Sequence, residues 1–486
     1  MLIHPFNLKK GNLILYTGIL FFLLIGHGFA QSQKTEKPNI VFILADDLGY
    51  GDLGVYGQKI IKTPHIDRLA KEGKLFRQFY AGTSVCAPSR SSLLTGQHTG
   101  HTYIRGNKEI EPEGQQPLAD SVETYAQLLQ KAGYVTGAFG KWGLGMVGTS
   151  GEPSRKGFDT FYGYNCQRQS HRYYPTHLWD NDKKVILEGN DLRQKVVYAP
   201  ELIQQKTLAF LDENKDKPFF LFVPTVLPHA ELQGPDDEFF KIYHGKMVEK
   251  PHQGNDYGPN ATIPGYASEP NPHATYAAMV TRMDHYVGQI LQKLDQLGLT
   301  ENTLIVFSSD NGSHQEGGAD PGFFNSSAGL RGNKRDLYEG GIRVPFIVKW
   351  PGKVKANTKS DFVGAFWDIM PTFVQLTGAE KPKNTDGISF VNELTGNGKQ
   401  KAHEYLYWEF HESGGRQAVR MGKWKAVRLN VKKNPLSAPE LYDLEKDPAE
   451  KNNIATSYPE VVKKMANYMN QAHRETDLFP FITKAP

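Results

Sequence analysis

The apolar residues of this chain fall into short unbroken runs, separated by longer stretches in which every third or fourth position is apolar. The clearest runs are NIVFILA (39–45), YVTGAFG (134–140), PFFLFVP (218–224), TLIVFSS (303–309) and VPFIVKW (344–350). Short apolar runs bounded by turn formers read as strands, and continuous rather than alternating hydrophobicity predicts strands covered on both faces. The helical stretches are PHIDRLAKEG, SVETYAQLLQKAG, APELIQQKTLAFLDEN and ATYAAMVTRMDHYVGQILQKLDQLG. Each ends near a turn residue or the next strand. This alternation predicts an α/β domain whose mainly parallel sheet is sandwiched by helices.

After FWDIMPTFVQLTG (366–378) the texture changes. From about 395 the pieces are short and strand-like (EYLYWEF, QAVRMG, WKAVRLN, ELYDL), and a final helical stretch, PEVVKKMANYMNQAHRE, follows. That pattern predicts a small C-terminal α+β domain, an antiparallel sheet with one packed helix. The expected division is 1–30, 31–394 and 395–486, with no repeat and no low-complexity linker.

Composition narrows the function classes. A chain of 486 residues can bury a large core, and 39% apolar with 22% charged residues is ordinary for a soluble globular protein. The formal charge is +4, or about +2 once Lys9 and Lys10 are set aside. So small a charge argues against nucleic acid and against a polybasic membrane contact. Lys9 and Lys10 precede the apolar run LILYTGILFFLLIG, and GHGFA offers small residues before Gln31. This is the layout of a signal peptide over 1–30, so the chain is expected to be exported, periplasmic or secreted. The run is short for a bilayer and has no basic flank after it, so no stable membrane anchor is expected. Cys86 and Cys166 could form at most one disulfide, which excludes a disulfide scaffold.

Candidate chemistry collects where strands end. VFILADD delivers Asp46 and Asp47, and LIVFSSDNG delivers Asp310 and Asn311. Ligands of open α/β sheets bind beyond the carboxyl ends of strands, and clustered carboxylates there call for a cation. Three carboxylates and an amide suit a hard divalent ion, although Asp and Asn also serve simply as turn and cap residues. In SVCAPSRSSLLTG (84–96), Pro88 is a good first helical residue. Cys86 would then lie at a helix N-terminus beside Arg90, where a thiol pKa falls. A small apolar cysteine before a helix is the alternative.

The stretch CAPSRSSLLTG resembles the Cys-x-Pro-Ser-Arg-x-x-x-Leu-Thr-Gly pattern of the formylglycine-dependent type I sulfatases. KPNIVFILADDLGYGDLG, GKWGLG, FVPTVLPHAEL, SSDNG and LRGNKRDLYEGGIRVPFIV resemble further elements of that family. The resemblance implies an alkaline-phosphatase-like α/β fold and conversion of Cys86 to formylglycine by a maturation enzyme. It implies a metal, Ca2+ with Mg2+ the alternative, on Asp46, Asp47, Asp310, Asn311 and the modified residue 86. Arg90, Lys141 and Lys334 would hold the sulfate, and His229 would protonate the leaving oxygen. The hydrate of the aldehyde would attack sulfur.

One position departs from the pattern. The family often has histidine after Gly-Lys-Trp, as the base that acts during sulfate release, and here the residue is Gly143. His101, His171 and His314 are the candidates to replace it. For substrate, GYNCQRQSHRYYPTHLW (163–179) places His171 and Arg172 in an expected aromatic loop, and HESGGRQAVR (411–420) adds His411. These segments either line a sugar pocket or pack a domain interface. The expected substrate is a sulfated carbohydrate or glycan. The rival readings are a phosphodiester or phosphonate monoester hydrolase of the same superfamily, and a non-catalytic glycan-binding relative.

Overall fold

The strand Asn39–Ala45 runs through the middle of an 11-stranded sheet. It pairs in parallel with Thr303–Ser309 on one side and Phe219–Pro224 on the other. Val135–Lys141 and then Thr160–Tyr164 extend the parallel run. The hairpin of His177–Asp180 with Lys183–Ile186 closes that side, while Arg343–Lys349 and Lys74–Tyr80 continue the other. This computed structural model describes residues 37–255 and 266–481. The expected leader, 1–30, lies outside them.

The unbroken apolar runs have a direct cause. Successive strand residues point to opposite faces. Val41, Ile43 and Ala45 enter one apolar cluster, and Ile40, Phe42 and Leu44 enter a second. The first is covered by Pro64–Lys71, Ala199–Asn214 and Pro272–Gln296. The second is covered by Cys86–Thr95, Tyr125–Lys131 and Ile369–Thr377. All the strands and helices expected for the α/β part form, and the fold class is as expected. Arg343–Lys349 runs antiparallel to its neighbours. A parallel return needs a long crossover, whereas 310–342 stays at the carboxyl end of the sheet and holds only four-residue helices. Within the segment expected to be a loop, His177–Asp180 pairs as a strand.

Toward the C-terminus, Leu406–Phe410, Arg416–Met421, Trp424–Leu429 and Glu440–Asp443 form a four-stranded antiparallel sheet in that order. Its faces also divide by alternation. Leu406, Trp408 and Phe410 pack with Tyr80, Val85 and Trp367 of the main body. Tyr407 packs on the other face with Met465 and Met469 of the helix Pro459–Ala472. The described residues from Lys37 onward form one compact unit. Among them, no helix is long and apolar enough to cross a membrane.

Candidate active site

Strand register brings the first acidic groups together. Ala45 pairs with Ser309, so Asp46 and Asp310 leave neighbouring parallel strands side by side. The Asp47 amide then donates to Asp310 Oδ1 at 3.1 Å, and the Leu48 amide to Ser309 Oγ at 2.9 Å. Asp47 has φ +63°, left-handed geometry that a residue with a side chain adopts only where its surroundings hold it. Lys141 closes its strand with Nζ 2.6 Å from Asp46 Oδ2. Its carbonyl accepts from Arg90 Nη1 at 2.6 Å, and Arg90 Nε and Nη2 donate to Asp310 Oδ2 at 3.0 and 2.8 Å.

These contacts fix the charges. Burial opposes ionising Asp46, yet Lys141, with His229 and Arg90, holds it well below the usual carboxylate range. Burial, then the neighbouring Asp46, pushes Asp310 up to about 7.

The Cys86–Thr95 helix begins at Cys86, two residues ahead of the expected first residue, Pro88. The first amides of a helix have no partner within it, so a proline in that turn sacrifices no hydrogen bond. The Ala87 amide finds Asn107 Oδ1 at 3.1 Å instead. Ser89 Oγ donates to the Asp310 carbonyl at 2.5 Å and receives the Gly82 amide at 3.0 Å, which ties the helix to the second acidic loop. Cys86 is 2% exposed. Its Sγ lies 3.3 Å from Asp46 Oδ1 and 4.0 Å from Asp47 Oδ1. Burial, then Asp46, pushes the thiol pKa well above its ordinary value. The lowered pKa expected from the helix terminus is therefore overturned: desolvation and adjacent carboxylates outweigh the helix dipole.

His229 faces this group from the loop after Phe219–Pro224. Its Nδ1–H donates to the Ala230 carbonyl, which leaves Nε2 to accept from Lys334 Nζ at 2.9 Å. Burial, then the Lys334 ammonium, pushes the His229 pKa down to about 4, so the ring is neutral near pH 7. Lys334 Nζ also lies 2.8 Å from Asp47 Oδ2 and 2.8 Å from Glu316 Oε2. His171 stacks on one face of His229, with centroids 4.6 Å apart and planes at 9°. His314 lies 5.7 Å away at 16°. Glu316 escaped sequence reasoning; its signal was a charged residue in the glycine-rich loop that carries Asp310.

The donor set fits a hard divalent cation. Asn311 Nδ2 donates to Asp47 Oδ1 at 2.7 Å, while Asn311 Oδ1 is buried with no hydrogen-bond partner among the described residues. Such an orphaned acceptor beside three carboxylates is what a cation ligand leaves when seen alone. Asp46, Asp47, Cys86 and His229 each place one ligand atom within 4.8 Å of the others. Asp47, His314 and Glu316 also converge, but the Lys334 ammonium already bridges Asp47 and Glu316. The arrangement therefore provides one cation position beside the Lys334 ammonium.

The remaining expected residues divide. His171 and His314 are at the site, while His101 bonds Asp386 at 2.8 Å beyond the far end of the Cys86 helix. That helix is about 15 Å long at 1.5 Å per residue. His314 uses both ring nitrogens, one toward the Pro228 carbonyl and one accepting from the Glu316 amide. Arg172 is buried in an ion pair with Glu231. His411 bonds Glu409 at 2.9 Å and packs against Phe481. Both side chains are thus held by internal partners.

The sulfatase family model matches residues 38–379. The chain belongs to the sulfatase family. A second model, for the C-terminal part of N-sulphoglucosamine sulphohydrolase, matches residues 331–475 of this sulfatase. An N-acetylgalactosamine-6-O-sulfatase of Bacteroides thetaiotaomicron is 28% identical over 90% of the chain and 94% of its own length. Bovine (Bos taurus) arylsulfatase A is 31% identical over 91% and 88%. Among solved structures, Ps i-CgsB in complex with k-i-k-neocarrahexaose superposes with TM-score 0.74 at 28% identity, covering 90% of this chain and 92% of that one. The sulfatase is thus a sulfuric ester hydrolase of type I, in the alkaline phosphatase superfamily. The phosphonate monoester hydrolase of Agrobacterium radiobacter, at TM-score 0.61 and 20% identity, shares the fold.

Proposed function

We propose that this sulfatase removes sulfate from sulfated saccharides, with Cys86 converted to formylglycine and a divalent cation, Ca2+, held by Asp46, Asp47, Asp310 and Asn311. The observation that carries the proposal is Cys86 itself. A buried thiol pressed against Asp46 and Asp47 is a neutral, poor nucleophile, although every surrounding group is arranged around it. A hydrated aldehyde at that position supplies an oxygen nucleophile, and the cation supplies charge neutralisation beside it.

The chain's own residues do the rest. Asp46, Asp47 and Asp310 would hold the cation, and Lys141, Arg90 and Lys334, which bond those carboxylates in the structure, would hold the sulfate oxygens. Lys334 Nζ already donates to His229 Nε2, so a proton for the leaving oxygen comes from this lysine–imidazole pair. With Gly143 unable to act and both nitrogens of His314 engaged, His171 takes the role of base in sulfate release. At 2% exposure Cys86 is out of reach in the folded chain, so its maturation enzyme acts before folding. A saccharide substrate is supported by the relatives that act on or bind sugars. Export is supported by Lys9, Lys10 and the apolar run that follows them.

The test is the mass of the tryptic peptide 78–90 from protein made together with a formylglycine-generating enzyme. An aldehyde at 86, with sulfated sugars cleaved faster than matched phosphonate esters, is expected. An intact cysteine in a fully active enzyme would refute the assignment.

A further inference from the structure

Gln167 is 3% exposed, nearly as buried as Cys86, and neither its Nε2 nor its Oε1 has a hydrogen-bond partner among the described residues. Asn165 Oδ1, two residues earlier, is likewise buried and unpartnered. Buried amide groups are almost always satisfied, because losing water without a replacement is costly. Two such side chains in one short loop require an explanation.

Their position supplies one. Lys141 and Tyr164 are paired at the ends of neighbouring parallel strands, and the Gly143 amide donates to the Asn165 carbonyl at 3.0 Å. Gly143 has φ +74°, and a Cβ placed on it would come within 2.0 Å of Gln167 Nε2. The Gln167 carboxamide therefore occupies the space that a side chain at 143 would fill, two residues past the lysine that holds Asp46. At the other end of the same loop, His171 stacks on His229. One end of the loop 165–171 thus follows the partner of Lys141 and the other end stacks on His229, two groups at the Cys86 centre, and Gln167 belongs to the loop that joins them.

The neighbouring cations are committed elsewhere. Arg168 pairs with Glu109 and Glu111, and Arg172 pairs with Glu231. The loop therefore offers neutral amide groups beside Gly143, the two arginines being paired with carboxylates.

We propose that Gln167, assisted by Asn165, is a specificity-determining residue that hydrogen-bonds a neutral hydroxyl-bearing part of the saccharide next to the sulfated carbon. A carboxamide offers an NH2 donor group and a carbonyl acceptor without net charge, which matches a hydroxyl or an acetamido group better than a second sulfate or a carboxylate, whose oxygens only accept. The inference rests on the saccharide sulfatase reading above.

The test compares Gln167→Met with wild type on 4-nitrophenyl sulfate and on the 4- and 6-O-sulfates of galactose and N-acetylgalactosamine, with thermal unfolding of both proteins. For the best saccharide, kcat/KM is expected to fall about tenfold more than for the aryl ester, the scale of one lost hydrogen bond, chiefly through KM. The Tm is expected to hold or rise, since an apolar group of similar size removes two unsatisfied atoms. A residue with a merely structural role would lower Tm and affect both substrate classes alike, and that result overturns the inference. So does an equal loss on both substrates at unchanged Tm, which would place Gln167 on the nucleophile. Gly143→Ala, whose methyl displaces the carboxamide, is expected to show the same substrate split and to be non-additive with Gln167→Met. An additive double variant counts against the pairing. A wild type that cleaves the aryl ester and none of the sugars overturns the subsite. One inert to all of them overturns the parent reading and this inference together.

Discussion

His229 illustrates how much a single residue's partners decide. An imidazole with Nδ1 committed to a carbonyl has one tautomer, and its remaining lone pair is aimed at Lys334. Burial and that ammonium keep the ring neutral near pH 7, and in the proposed reaction the Lys334–His229 pair would supply the proton to the leaving oxygen. The need for this proton scales with the basicity of the leaving oxygen. His229→Ala is therefore expected to slow sugar sulfates by about 100-fold or more, within the range of general acid catalysis. Activated aryl sulfates, whose phenolate leaves unaided, should lose much less. A plot of rate against leaving-group pKa checks this, and equal losses across the series would remove the role. At this same scale the sequence was informative about residue identity: Asp46, Asp47, Cys86, Arg90, Lys141, His229, Asp310, Asn311 and Lys334 were all picked out and all converge. It gave only a weak sign of Glu316, a charged residue in the loop after Asp310, because an ion pair to Lys334 and Arg335 leaves no periodic or spacing signal.

Among the elements, the link between the C-terminal sheet and its helix depends on a buried charge. Glu409, on the strand Leu406–Phe410, bonds His473, just past the helix Pro459–Ala472, at 2.5 Å. Burial opposes the charge of both, but Glu409 holds the His473 pKa above its ordinary value, and His411 with His473 holds Glu409 well below the carboxylate range. A raised histidine pKa contributes stability that is complete below its unfolded value, about 6.5, and is lost as pH rises through the folded value. A depressed carboxylate contributes stability that is present above its ordinary 4.5 and is lost as pH falls through the folded value. The pair is thus complete between these two ordinary values. The gap in urea midpoint between wild type and Glu409→Gln should be widest near pH 6 and should narrow toward pH 9. A gap that widens with alkalinity would contradict the linkage. The strands and helices themselves were legible from periodicity. The hairpin at His177–Asp180 was not, since its aromatic and polar residues follow neither period cleanly.

For the whole molecule, the candidate site is a buried set of opposite charges. Asp46, Asp310 and Asp47 are bonded to Lys141, Arg90 and Lys334. If Asp46, Asp47 and Asp310 hold the proposed cation, Lys141, Arg90 and Lys334 would be free for an anion, and cation and sulfate binding would be coupled. Ca2+ is expected to raise Tm, by an amount corresponding to about 2.7 kcal/mol at a hundredfold excess over Kd. Inorganic sulfate should then raise Tm further in Ca2+ and hardly at all after EGTA. Equal protection by sulfate with and without Ca2+ would show that the cations are already free.

What the sequence determined by itself is local in cause. Two-sided burial writes itself as unbroken apolar runs, helical cover as three-to-four spacing, and the candidate Cys86 as a small-residue motif ahead of Pro-Ser-Arg. Register and approach are not local, and only the tertiary structure decided them. The pairing of Ala45 with Ser309 sets Asp46 beside Asp310. The loop from Asn165 to His171 carries a glutamine into the space left by Gly143. Burial against carboxylates makes Cys86 a neutral thiol where its place at a helix start predicted the reverse. Each outcome is a sum over groups distant in sequence, and desolvation in particular exists only once the chain has closed around the site.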